Sequence, residues 1–166
     1  MLTVWSMKRD AHFSQDRKFR YFLSRIWDDT LPTVTFIGLN PSTADEKADD
    51  RTITTCMAYA KQWGKGGLFV ANLFAFRDTC QTQIWNVPDP IGPENDKWLV
   101  DLASKSSLVV AAWGDDGLRF ERSGAVCRLL PRLHCLKVNK SGEPHHPLYL
   151  SRDIKPQPYN RHAGTQ

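Results

Sequence analysis

Apolar and polar positions along the chain fall into short blocks of differing period. Phe19, Phe22, Leu23, Ile26 and Trp27 stand at i, i+3, i+4, i+7 and i+8. That spacing predicts an amphipathic helix over about residues 16–28. Pro32 ends the link that follows. TVTFIGL is rich in β-branched and aromatic residues with little alternation, as expected of a strand covered on both faces. A helix is expected next, from Asp49 or Asp50 as N-cap to Trp63, with Gly64 as its stop. GGLFVANLFAF predicts a second buried strand, TQIWNVPDPIGP a loop, and ENDKWLVDLASKS a helix starting near Asn95 or Asp96. SLVVAAWG predicts a third strand, residues 117–131 a helix interrupted by Gly124, LHCLKVN a fourth strand and KSGEPHHPLYL its exit loop.

Helices alternating with short apolar strands imply an α/β fold with a central, mainly parallel four-stranded sheet between helical layers, a three-layer αβα sandwich. The length, 166 residues, suits one domain over 1–166. The polar segment 151–166 is expected to lie over the surface or to be flexible.

Composition narrows this little. Lys+Arg 22 against Asp+Glu 18 gives +4, compatible with a nucleic-acid or nucleotide partner without requiring one. Cys56, Cys80, Cys127 and Cys135 form no paired spacing, so reduced cysteines mostly in or near the core are expected and no metal site. No run reaches the roughly 18 apolar residues of a membrane span, and the first residues lack a signal-peptide apolar region. A cytoplasmic monomer without membrane association is the expectation.

Candidate chemistry gathers at the strand ends. Asn40-Pro41-Ser42-Thr43, Asn72 with Arg77, Trp113-Gly114-Asp115-Asp116 and His145-His146-Pro147 each follow or end a predicted strand. In open parallel sheets the ligand crevice lies at that edge. Gly38 lets the backbone approach a ligand, Pro41 fixes φ, and Asn40 offers an amide; an Asx-turn is the structural alternative. Asp45 and Asp50 are candidate bases or water-positioning carboxylates, against helix capping as the alternative. Asn72, inside an apolar strand, needs partners, which a loop or the polar edge of a base would supply. Arg77 suits a carboxylate or phosphate. His146 is placed to donate to a developing negative charge. Trp113 serves either core packing or base stacking.

The ordered set GLNPSTAD, DDRTI, VANLFAFR, IGPEND, AAWG and HHPLYL resembles the bacterial and phage family called domain of unknown function 1643, over nearly the whole chain. That family usually reads Asp-Pro-Thr where this chain has Asp50-Arg51-Thr52. The same order also resembles the uracil-DNA glycosylase superfamily. Gly38-Leu39-Asn40-Pro41 is similar to the Gly-Ile-Asn-Pro motif of the mismatch-specific and thymine glycosylases, whose Asn positions water. Asn72 falls where that superfamily reads the base, and Trp113-Gly114 at a structural strand end. His146-Pro147-Leu148-Tyr149-Leu150-Ser151 is similar to His-Pro-Ser-Pro-Leu-Ser, the loop that enters the minor groove and stabilises the departing base. Leu148 and Tyr149 depart from that motif, and no aromatic follows the first motif to stack on the base.

The resemblance implies a glycosylase-like sandwich and hydrolysis of the N-glycosidic bond of a damaged, mismatched or modified base, without cofactor. Asn40 would hold the water, Asp45 or Asp50 act as base or electrostatic stabiliser, and His146 stabilise the leaving base. Asn72 would read the base edge. Ser42, Thr43, Arg77 and the His-Pro loop with His145 and Pro147 would touch phosphates, and Gly38, Leu39, Pro41, Asn95, Trp113, Gly114 and Tyr149 would touch other parts of the substrate. Two alternatives stand beside it: a non-catalytic module binding nucleic acid or a modified base, and a nucleoside or nucleotide hydrolase. The partner expected is DNA or another base-containing substrate.

Overall fold

A computed structural model describes residues 6–78 and 80–161. One mixed sheet of seven strands organises them, in the order β1-β2-β4-β3-β5-β6-β7. The strands are β1 (Lys8–Phe13), β2 (Arg20–Ile26), β3 (Thr33–Gly38), β4 (Gly67–Asn72), β5 (Leu108–Ala111), β6 (His134–Cys135) and β7 (Gln157–Pro158). The inner run β4-β3-β5-β6 is parallel, whereas β1, β2 and β7 pair antiparallel. Three α-helices cover it: α1 (Arg51–Gln62), α2 (Asn95–Lys105) and α3 (Arg122–Leu129).

The sheet has apolar cover on both sides. Ile53, Cys56, Tyr59 and Ala60 of α1 pack on Leu23, Val34, Phe36, Leu68 and Val70. Leu99 and Leu102 of α2 and Val126 of α3 pack on Ile37, Ala71, Ala111 and Cys135. Each fully buried aliphatic or aromatic side chain contributes about 1.5–3 kcal/mol, so the two clusters dominate stability.

The expected helix over 16–28 is a strand, β2, preceded by a turn. β2 lies between β1 and β4, and side chains on both of its faces are largely buried. Leu23 packs on the α1 side, while Phe22 meets Phe69 and Trp98 on the other. Burial on two faces erases the alternation that marks a half-exposed strand, and bulky residues three and four apart then imitate a helix. The sheet is therefore larger than the four strands expected.

Further downstream, the expected helix over 117–131 breaks at Phe120 and Glu121, where φ is +56° and +54°. A 3-10 segment, Asp115–Glu121, leads into the shorter α3. Gly124 does not interrupt α3; a Cβ there would meet the Arg161 guanidinium at 2.4 Å. The fourth strand is reduced to two residues, and the segment expected as a loop after β4 contains a 3-10 turn, Gln81–Asn86. The C-terminal segment is packed through the described residues. Tyr59 donates to the Ser151 carbonyl and Trp63 to that of Ile154, β7 extends the sheet, and Tyr159 is buried against Trp113. Residues 162–166 of that segment lie outside the described residues.

Cys56 and Cys135 are buried, Cys127 is half-buried and Cys80 is exposed, all as free thiols. Burial pushes the Cys127 thiol up to about 11, which keeps it protonated near neutral pH. Among the described residues no helix is long and apolar enough to cross a membrane.

Candidate functional site

Connections leave the inner strands toward opposite faces. β3 feeds α1 on one side, while its neighbours β4 and β5 feed α2 and α3 on the other. Divergent loops open a crevice at the carboxyl edge of a parallel sheet. A cleft of about 280 Å³ lies at this edge. That is small against the roughly 300–1,000 Å³ of drug-sized sites, and fits one compact ring system.

Gly38 and Asn72 are register partners on adjacent strands. The backbone of Gly38 passes so near that an added Cβ would meet the Asn72 Oδ1 at 2.9 Å. Asn72 is 3% exposed, lines the cleft, and its Nδ2 has no described hydrogen-bond partner. A buried donor left unpaired costs about 1–3 kcal/mol, so an acceptor bound in the cleft would recover that cost. Asn95 holds this strand end from behind, its Nδ2 donating to the carbonyls of Asn72 and Leu73 at 2.9 and 3.0 Å. Its role is support rather than contact.

Asn40 also lines the cleft. Its Nδ2 donates to the carbonyls of Pro41 and Asp78, at 3.2 and 3.3 Å, and no described hydrogen bond uses its Oδ1. Asp50 lines the cleft and also caps α1: Oδ1 accepts from the Ile53 amide at 2.9 Å, and Oδ2 from the Ser42 hydroxyl at 2.8 Å. Asp45 is not part of the cleft lining. Its Oδ1 accepts from the Ala48 and Lys47 amides, and these bonds hold the carboxyl below its usual range. Pro41 is buried and Thr43 exposed, both outside the lining.

His146 lines the cleft as well. Its Nδ1 accepts the Leu148 amide at 3.2 Å, which places the proton of the neutral ring on Nε2. Burial, then the neighbouring His145, draws its pKa down, so the ring stays neutral at physiological pH. Protonating Nδ1 would break the Leu148 bond. A group whose folded pKa is depressed binds protons better when unfolded. Its stability contribution is present above the unfolded value near 6.5 and is lost as pH falls below it. We expect an NMR titration of the His146 ring to give a midpoint below 6.5. A midpoint above 6.5 would contradict a ring kept neutral by burial.

Of the remaining candidates only Leu39 and Trp113 line the cleft. His145 bonds the His146 carbonyl through Nδ1 at 2.6 Å, Pro147 is buried and Gly114 turns the chain with φ +77°. Tyr149 is 83% exposed at the loop tip, with the Arg51 guanidinium 5.1 Å from its ring centre. Trp113 borders the cleft but is 2% exposed, donating to Glu143 at 2.7 Å. Arg77 lies in a hollow next to the cleft, with Arg17 and Lys18; Ser42 and Asp78 line both.

Two residues that sequence patterns missed complete the site. Arg20 on β2 lines the cleft and is 2% exposed; burial pulls its pKa down to about 10, leaving it charged at neutral pH. Asp78 lines the cleft and presents its carbonyl to Asn40. The signal for Arg20 was one basic residue within FRYFL, hidden while that segment read as an amphipathic helix whose polar face would carry it. Among the described residues no group of three His, Cys, Asp or Glu side chains is placed to hold a metal ion.

The fold and this edge define an α/β domain with a small polar cleft at the switch point of its sheet. The chain belongs to the family described as Protein of unknown function (DUF1643), whose model matches residues 20–148. No curated protein and no solved structure gives a significant match to it.

Proposed function

We propose that this protein hydrolyses the N-glycosidic bond of a base held in the cleft, as DNA glycosylases do. We take the parallel strands β4-β3-β5-β6 with their helices as a glycosylase-like sandwich to which β1, β2 and β7 are added. One observation carries the proposal. Asn40, Asn72 and His146, which follow or end three different strands, line the same cleft of base-sized volume.

In this reading Asn72 donates its unpaired Nδ2–H to a carbonyl on the base edge. The neutral His146 donates Nε2–H toward negative charge gathering on the base as the C1′–N bond lengthens. Asn40 accepts from a water whose oxygen bonds to C1′; the departing base takes up a proton. Asp50, with both oxygens already hydrogen-bonded, acts as a fixed negative charge beside the cationic sugar. A base must leave the helical stack to reach so small a cleft, and the cost is least for mismatched or modified bases.

The test is base release followed by mass spectrometry, using DNA and RNA carrying uracil, mismatched thymine, hypoxanthine and phage-type modified pyrimidines. Release of one base, lost in Asn40→Ala, is the expected result. Binding without release from any substrate would leave a non-catalytic base-binding module.

A further inference from the structure

The cleft holds a charge that base recognition does not use. Three arginines are buried among the described residues, Arg20, Arg25 and Arg122. Arg25 pairs with Asp49 and Arg122 with Asp96. Arg20 is in none of the described ion pairs. Its described hydrogen bond runs from Nη1 to the Ala44 carbonyl at 2.7 Å, and its Nε is buried without a partner. The charges of Asp50 and Asp45 favour its cation, but neither carboxylate shares a described hydrogen bond with it, so a buried donor stays unmet, and a bound anion would relieve that cost.

In the hollow beside the cleft Arg77 repeats the pattern, whereas Arg17 there is paired with Glu46 at 3.4 Å. The Arg17 and Arg77 guanidinium groups lie 3.8 and 4.5 Å from the centre of the one Phe13 ring. That ring holds two like charges close together. The Arg77 Nε is also buried and unpartnered, while its Nη1 reaches the Arg17 carbonyl at 3.4 Å. The acids lining these hollows are Asp50 and Asp78. Asp50 keeps its charge while its oxygens accept from Ser42 and Ile53, so it gives Arg20 no described hydrogen bond, and Asp78 Oδ1 accepts the Cys80 amide at 2.8 Å.

We infer that the cleft takes its base as part of a phosphate-bearing nucleotide, with Arg20 and Arg77 receiving the phosphate across Ser42. This rests on the reading that the cleft takes a base. Guanidinium groups match phosphate oxygens in a two-pronged geometry that ammonium groups do not reproduce. A free mononucleotide and an internucleotide phosphate present the same chemistry.

Calorimetric titration of the full chain separates these sources, using four deoxynucleosides, their 5′-monophosphates, inorganic phosphate and single-stranded pentanucleotides. At least one monophosphate or pentanucleotide should bind at least about tenfold more tightly than its nucleoside, as expected for charged hydrogen bonds. Arg20→Lys should cut that ratio severalfold by losing the fork. Arg77→Ala, at a half-buried site, should cut it independently should Arg20→Lys fail to fold. A monophosphate equal to the pentanucleotide assigns a free nucleotide; a pentanucleotide about tenfold tighter assigns a strand. Equal binding of nucleoside and phosphate forms, no binding of any phosphate-bearing probe, or a ratio that survives both substitutions overturns the inference. Base release without phosphate discrimination defeats this inference alone. Phosphate discrimination without base release from any substrate defeats only the hydrolase.

Discussion

Replacing Arg25 with methionine is expected to destabilise the protein by about 3–5 kcal/mol, because buried acceptors left without donors cost about 1–3 kcal/mol each. The side chain is 0% exposed, and its guanidinium ties the segment before α1 to β2. Nε donates to Asp49 at 2.8 Å, Nη2 to the carbonyls of Asp45 and Ala48, and Nη1 to those of Asp10 and Ser24. Methionine fills much of the volume but satisfies none of these acceptors. Asp49 keeps its contact with Arg9, so the loss falls mainly on backbone carbonyls. Urea unfolding measures it; a loss under about 1 kcal/mol would mean that the segment from Ser42 to Asp50 is held by other contacts. Lysine at the same position keeps the charge and loses the fork, and should fall between the two.

Asn40→Ala and His146→Ala are each expected to slow base release by about 10²–10³-fold on whichever substrate the panel selects. That is the usual cost of one positioned donor or water-holding group. The double variant should cost less than the product, since both act on one bond-breaking step. Asn72→Ala should instead weaken binding and relax the choice of base, because its contact forms before the bond breaks. Single-turnover rates and KM separate the two patterns. An Asn40→Ala rate within threefold of the parent would remove the water-holding role.

Much of the inner fold was legible because its chemistry is local. β3, β4 and β5 lie in largely apolar, β-branched and aromatic blocks, and α1 is capped by Asp50 and stops before Gly64, where φ is +73°. β2 was not legible: a strand buried on two faces carries no alternation, and the spacing of its apolar residues imitated an amphipathic helix. Arg25 and Arg20 are buried only because loops near α1 fold back over them, a long-range event that no window of sequence contains. The site divides the same way. Gly38, Asn40, Ser42, Asn72, Trp113 and His146 were found by their positions near strand ends and do border the cleft. Asp45 and Asp50 looked equivalent by spacing. Only the direction of the helix start separates the one that faces the cleft from the one folded into its own loop.

The C-terminal segment gives the His146 loop an unusual independence. The loop is fastened before the histidine, where the Gly114 amide bonds the Pro144 carbonyl at 2.9 Å, and after it, where Tyr59 bonds the Ser151 carbonyl at 3.1 Å. Leu150 and Ile154 pack onto the α1 cluster beyond. Between these two moorings the tip residue Tyr149 carries little of the load. Such a span behaves like a bridge deck: its surface is replaceable while its piers stand. Variation at the tip would then retune what the protein touches outside the cleft and leave the imidazole where it is.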